Sequence, residues 1–222
     1  MTETDKRLAA LAAVAEVRAG MIVGLGTGST AAFAIEALGA QVRAGLMIGA
    51  VATSLATERH ARAVGIALID LPATIDLTID GADEIDDACR AIKGAGGAML
   101  REKIVAAAST RMLVIADGSK RVARLGAAKI PVEILPFAEA FVAARLADLG
   151  GAPVLRAGFV TDQGNHILDC RFPIDTDKDA LAAQIDAIPG ALGHGLFLSE
   201  VDAAYIASNG VVTRLERGAR TR

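Results

Sequence analysis

Short apolar runs alternate along this chain with longer stretches in which apolar residues return every three or four positions. Leu8, Leu11 and Ala15, with Arg18 one turn further, follow helical spacing and predict an amphipathic first helix. Gly20 stops it, and Met21-Ile22-Val23-Gly24-Leu25 reads as a short buried strand. A glycine-rich turn leads into a helix from about Thr30 to Leu38, ended by Gly39. Leu46 to Ala52 predicts the next strand, and Thr53 and Ser54 open a helix through Ala63 that Gly65 closes. Further strands are predicted over Ile66–Ile69 and Ile75–Ile79. A second glycine loop precedes a helix over Ala98–Ala108, and Met112–Ala116 completes the series. Strands recurring between helices of this length indicate βαβ units and a mainly parallel sheet.

From Ile130 the rhythm changes. Pro131–Leu135 reads as a strand, Phe137–Leu149 as a helix and Pro153–Arg156 as a strand. A strand near Phe159, a turn at Asp162-Gln163-Gly164-Asn165 and a strand over His166–Phe172 follow. A helix over Lys178–Ile188 and a strand over Gly195–Ser199 close the stretch. Ignoring the break at Ala157-Gly158, the order is β-α-β-β-α-β, the split pattern of a ferredoxin-like lobe. Ala203–Ala207 and Val211–Glu216, hairpinned through Ser208-Asn209-Gly210, rejoin the main sheet. The expected fold class is therefore α/β, a Rossmann-like, mainly parallel sheet domain carrying an inserted, smaller α+β lobe. Residues 1–128 and 200–222 form the first and residues 129–199 the second. The segment from Arg214 to Arg222 carries four arginines and reads as a frayed, solvated tail.

Composition narrows the classes of function. The 222 residues are 53% hydrophobic and 22% charged, sufficient for a large core. Aromatics are 3% and Trp is absent, which disfavours a stacking surface for single-stranded nucleic acid. A formal net charge of −3 leaves no basic field for a phosphate backbone, so no nucleic-acid partner is expected. Cys89 and Cys170 have no second thiol nearby and read as reduced cysteines of a cytoplasmic protein. Lys6 and Arg7 before an Ala/Leu run resemble a secretory leader, yet Glu3, Asp5, Glu16 and Arg18 interrupt it. No apolar run reaches the roughly 18 residues of a membrane span, so no membrane partner is expected.

Four loops carry candidate chemistry. In Gly24-Leu25-Gly26-Thr27-Gly28-Ser29-Thr30, between strand and helix, glycines bring backbone N–H groups close to an anion. The helix N-terminus adds unpaired donors and Thr27, Ser29 and Thr30 add hydroxyls, a combination suited to phosphate. A dinucleotide site would need an acid at the end of the second strand, where Ala52-Thr53-Ser54 stands instead. A structural tight turn remains open. Asp80-Gly81-Ala82-Asp83-Glu84-Ile85-Asp86-Asp87 follows a strand, where open α/β sheets gather ligands. Its spacing does not match a calcium loop and no histidine is near. By itself it is a solvated acidic turn; in context, Asp80 and Asp83 would bind sugar hydroxyls while the later acids face water. Lys93-Gly94-Ala95-Gly96-Gly97 builds a cationic, N–H-lined turn at a helix start, with Glu102 about one turn inside that helix. Alone, Glu102 beside Arg101 and Lys103 is a surface charge. Asp117-Gly118-Ser119-Lys120 brings another lysine to a strand end. His60, His166 and His194 lack ligand spacing and read as surface or packing residues.

Taken in order, GLGTGST, DGADEID, KGAGGAMLREK, IADGSK, IPVEILPFA, GNHILD and GLF resemble the type A ribose-5-phosphate isomerase family from Lys6 to about Asn209. The resemblance implies an aldose–ketose isomerase acting on ribose 5-phosphate and ribulose 5-phosphate through a cis-enediolate, in the non-oxidative pentose phosphate pathway. It implies Glu102 as the base and Thr27, Gly28, Ser29 and Thr30 as the first substrate loop. Asp80, Gly81, Ala82 and Asp83 match the second loop and Lys93, Gly94, Ala95 and Gly96 the third. Lys120 and Lys6 align with further substrate contacts. It also implies a homodimer or homotetramer, no cofactor and no metal. Ala95 departs from the commonest pattern at a position that acts through its backbone. The alternative is a non-catalytic sugar-phosphate sensor of the same fold.

Overall fold

A computed structural model describes residues 3–218. The chain runs α1 (Glu3–Val14), β1 (Ile22–Leu25), α2 (Ser29–Arg43), β2 (Gly49–Ala52), α3 (Leu55–Ala63) and β3 (Leu77–Gly81). Two short strands, β4 (Glu84–Ile85) and β5 (Ala91–Ile92), precede α4 (Met99–Ala108) and β6 (Met112–Asp117). Then come β7 (Ile130–Ile134), α5 (Glu139–Asp148), β8 (Ala152–Leu155), β9 (His166–Arg171), α6 (Lys178–Asp186) and β10 (Ala191–His194). The last strands are β11 (Leu196–Phe197), β12 (Ala203–Ser208) and β13 (Val211–Glu216).

Six strands form the main sheet in the order β13-β12-β6-β3-β1-β2, parallel except for the antiparallel edge strand β13. Its central strands are buried on both faces, which is why their sequences read as unbroken apolar runs. On β6, Leu113 and Ile115 join α1 and α2 through Ala9, Ala13, Ile35 and Leu38. The alternate residues Met112 and Val114 pack on the other face with Ala106, Phe197 and Ile206. Alanines on α1 let that helix lie close to the sheet.

A second, antiparallel sheet has the order β10-β7-β9-β8. Val142 and Leu146 of α5 and Leu181 and Ile185 of α6 pack with Ile130, Val132, Ile134 and Leu168 of the sheet. Counted within this segment the strand order is 4-1-3-2, the arrangement of a ferredoxin-like lobe, so the expected α/β class with a smaller α+β unit is observed. A third sheet, β11-β5-β4, links the two.

Several expected elements differ. Ile66–Ile69 is no strand: a single parallel bridge joins Ala50 to Leu68, because four-residue β2 offers little ladder at the sheet edge. Phe159 lies in a loop after Gly158, whose φ of 69° turns the chain. The lobe's last strand is Ala191–His194, and Gly195 leaves the ladder because its backbone crosses Lys93, whose N–H donates to the Gly195 carbonyl at 2.8 Å. Arg214 and Arg217 are held, not frayed: Arg214 pairs with Glu216, and Arg217 donates to the carbonyls of Val201 and Cys89. The tail's remaining arginines, Arg220 and Arg222, lie outside the described residues.

Candidate active site

The carboxyl ends of β1, β3 and β6 and the N-termini of α2 and α4 surround one cavity of about 370 Å³. Each strand end is followed by a loop that must turn sharply. Gly28 does so with φ of 111° immediately before α2, and it leaves the first-turn N–H groups of that helix without a side-chain cap. Gly26 is required by contact, since a Cβ there would sit 2.0 Å from Asp80 Oδ1.

Thr27, Gly28, Ser29 and Thr30 line one side of the cavity, with Lys6 beside them donating to Ser29 Oγ at 2.9 Å. Gly81, Ala82 and Asp83 line another wall, and Lys93, Gly94, Ala95, Gly96 and Glu102 a third. Lys120, from the 3₁₀ turn Gly118–Lys120 after β6, also lines it. Asp80 does not reach the cavity surface. It is fully buried behind the lining, where Oδ1 accepts from the N–H of Thr27 at 3.1 Å and of Gly81 at 2.7 Å. Thus four loops separated in sequence converge.

Glu102 sits in the first turn of α4 and is 4% exposed, contrary to what an Arg-Glu-Lys surface triplet suggests. Lys93, 2% exposed, places its ammonium 2.9 Å from Asp80 Oδ2 and 3.3 Å from Glu102 Oε2. The same ammonium donates to the Gly81 carbonyl and lies over the Phe197 ring. Burial pushes the Glu102 carboxyl up, the nearby Asp80 charge adds to this, and Lys93 pulls it down; the result is about 8. Burial opposes charge on Lys93, but Asp80 and Glu102 outweigh it and hold the ammonium above its ordinary value. A buried carboxyl poised near neutrality beside a retained cation suits proton transfer with stabilisation of a developing oxyanion.

Other acids of the second loop do not face water as expected, apart from exposed Asp87. Glu84 is buried and accepts from the N–H groups of Gly126 and Ala128. Asp86 is buried and accepts from the N–H groups of Ala88 and Arg90 and from Arg90 Nε. Both fasten loops through β4. The hydroxyl of Thr27 also differs from expectation, meeting Thr53, Ser54 and Thr57 within 3.1 Å, so it anchors the loop. Thr53 and Ser54 stand at a strand end, the one sign of this cluster in the sequence. Among the described residues no group of three or more His, Cys, Asp or Glu is arranged to hold a metal, and the three histidines lie outside the cavity. A larger cleft, about 730 Å³, lies on the outer side of α4 between Leu68, Ile69, Leu71 and Ile104, with Glu58, Arg62, Asp70 and Arg101 also on its walls.

Residues 49–210 match the family described as ribose 5-phosphate isomerase A (phosphoriboisomerase A). Ribose-5-phosphate isomerase A of Sphingopyxis alaskensis is 53% identical over 96% of this chain and 96% of its own length. That of Roseiflexus castenholzii is 50% identical over 95% and 94%. The crystal structure of ribose 5-phosphate isomerase A from Neisseria gonorrhoeae superposes with a TM-score of 0.93 at 37% identity, covering 99% of each chain. A D-ribose-5-phosphate isomerase in complex with phospho-erythronic acid superposes with a TM-score of 0.94 at 32% identity, covering 98% of this chain and all of that one. The chain belongs to the ribose 5-phosphate isomerase A family.

Proposed function

We propose that this protein interconverts ribose 5-phosphate and ribulose 5-phosphate, with Glu102 as the base. The observation that carries the reading is the buried Glu102 carboxyl, poised near neutrality 3.3 Å from the Lys93 ammonium on the wall of a donor-rich cavity. In the forward direction the Glu102 carboxylate takes the proton from C2 of the open-chain aldose. The electron pair forms the C1–C2 double bond of a cis-enediolate, and the former aldehyde oxygen becomes an oxyanion. Return of that proton to C1, with transfer of the O2 proton to the O1 oxyanion, gives the ketose and restores the carboxylate. Positioned general base catalysis of this kind contributes about 10²–10⁴-fold.

The Lys93 ammonium supplies the positive charge for the oxyanion, assisted by N–H groups of the Gly94–Gly96 turn; one such donor is worth roughly 10²–10³ in turnover. Asp83 and Gly81 serve the sugar hydroxyls, and Asp80 holds Lys93 and the Thr27 loop from behind. The uncapped N-terminus of α2, with Ser29, Thr30 and Lys6, receives the 5-phosphate, and Lys120 closes the cationic rim. The relative solved with phospho-erythronic acid, which joins a phosphate to a short acid chain, supports this division into two ends. A non-catalytic sensor has no use for a buried carboxyl held against a lysine.

The same reading takes the enzyme as metal-free and cofactor-free and as part of the pentose phosphate pathway, and places it in the cytoplasm, in keeping with two free, buried cysteines. It takes residues 129–199 as the lobe. It also takes the chain as a homodimer or homotetramer, testable by light scattering. The primary experiment is conversion of ribose 5-phosphate by the purified protein in excess EDTA, alongside Glu102→Gln. Activity that resists EDTA and falls by several orders of magnitude in the variant, with KM little changed, supports the reading. Near-normal turnover in Glu102→Gln removes Glu102 as the base.

A further inference from the structure

Arg156 belongs to no sequence motif considered above, yet it touches the backbone of the catalytic turn. It leaves β8 of the lobe sheet and is largely covered, its side chain 17% exposed. Nε and Nη2 grip Asp169 of β9 as a fork, at 3.0 Å and 2.5 Å. The remaining donors point to the carbonyls of the Lys93 turn: Nη1 lies 3.3 Å from Gly94 O and 3.1 Å from Ala95 O, and Nη2 lies 3.3 Å from Gly94 O. The guanidinium also stacks over Phe159, whose ring lies where a Cβ on Gly97 would stand. One side chain therefore fastens the lobe to two consecutive peptide units of the turn.

In a trans peptide the C=O and N–H point in opposite directions. Holding Gly94 O towards Arg156 turns the N–H of Ala95 the other way, and it donates to Asp83 Oδ2 at 2.9 Å. Holding Ala95 O likewise turns the N–H of Gly96 away from Arg156, and Gly96 lines the cavity. The first consequence is visible in the Asp83 bond; the second aims a backbone donor at the place where the substrate oxygens lie in the reading above.

We infer that Arg156 is a positioning residue for the isomerisation, locking the 94–95 and 95–96 peptide planes so that Asp83 is oriented and the Gly96 N–H is presented to substrate. This rests on the site reading under Proposed function. Arg156 does not touch the reacting atoms; Asp169 sets its plane and the lobe supplies its footing. A misplacement of about 1 Å in such a site lowers turnover by roughly 10²-fold.

The test uses the full chain as Arg156→Ala and Arg156→Lys, with kcat and KM measured with and without added guanidinium far below denaturing concentration. Arg156→Ala is expected to lose roughly 10- to 100-fold in kcat with KM changed less than about threefold. Guanidinium should restore a large part of that loss, and an equal concentration of ammonium should not. Arg156→Lys is expected to fall between wild type and Arg156→Ala, because one ammonium cannot span the carboxylate and both carbonyls. Turnover in Arg156→Ala within about threefold of wild type overturns the inference. So does a loss that guanidinium leaves untouched in protein with native circular dichroism. Should Arg156→Ala not fold, Arg156→Lys decides: a lowered kcat at unchanged KM supports the inference, and wild-type kinetics overturn it. A wild-type protein inactive on ribose 5-phosphate would instead sink the functional reading, a separate outcome.

Discussion

Replacing Lys93 by Met keeps the length of the side chain and removes its charge, which leaves Asp80 and Glu102 buried without the cation between them. Lys93 is the main influence lowering the Glu102 carboxyl, while burial and Asp80 raise it. An opposite charge at this range typically holds a carboxylate down by about 1–3 pH units. The variant's Glu102 should therefore titrate well above the value of about 8 in the parent. The carboxylate form is the base, so activity is lost as pH falls through that value and is present above it. In the parent, kcat/KM should climb about tenfold per pH unit below about 8 and level off beyond it.

In Lys93→Met the same limb should move up by about two units, which at neutral pH removes roughly a hundredfold of ionised base. Loss of the oxyanion partner removes roughly a further 10²–10³ at every pH. The combined deficit near neutrality, roughly 10⁴–10⁵, should shrink towards the smaller figure as pH is raised. Breaking a buried ion pair on one side costs about 3–5 kcal/mol of stability, so circular dichroism must accompany each rate. The assay is initial-rate ribulose 5-phosphate formation across the pH range. An acid limb at the same pH in both proteins would refute the assignment of Lys93 as the group that tunes Glu102.

Three further outcomes follow from the same geometry. Thr30→Ala should raise KM more than it lowers kcat, since it weakens phosphate contact remote from C1 and C2; a selective fall in kcat would contradict that placement. Gly26→Ala should destabilise the protein by roughly 3 kcal/mol or more and lower the melting temperature, because its Cβ would stand 2.5 Å from the Asp80 Cα as well as against its carboxylate. Cys170, raised to about 12 chiefly by burial, should resist a thiol reagent in the native protein and react once denaturant unfolds it. Rapid native labelling at that residue would contradict its burial.

The parts of the site visible in the sequence are those whose cause is local. Gly28 before a helix and the Lys93-Gly94 turn announce themselves because backbone conformation demands glycine there. The central strands are visible because both faces are covered. What was not visible depends on distant partners. Glu84 and Asp86 look solvated in a run of acids, yet Glu84 is buried against the distant N–H groups of Gly126 and Ala128, and Asp86 within the turn that returns to β5 through Arg90. Glu102 lies between two charged neighbours, and nothing local says that its face of α4 turns inward. Arg156 is one of many arginines until β8 and β9 place it against the Gly94 carbonyl. Ile66–Ile69 erred in the opposite sense: an apolar run satisfied strand chemistry, but edge strand β2 was too short to pair with it.

The order of strands in the main sheet has a consequence for how the protein folds. Its fifth parallel strand, β12, follows the lobe in sequence and lies between β6 and β13. The first helix, which carries Lys6, packs on β6 and on β12, and Asp5 accepts a hydrogen bond from the N–H of Gly210 in the final hairpin. The packing of α1, begun on α2 and β6, is therefore completed only when distant β12 joins the sheet. The loops carrying the base and the glycine turns lie between α1 and β12 in sequence, so this long-range contact closes around them. A chain lacking β12 and β13 would hold its catalytic side chains and still leave the helix that carries Lys6 without part of its footing, so the far edge of the sheet steadies the phosphate end.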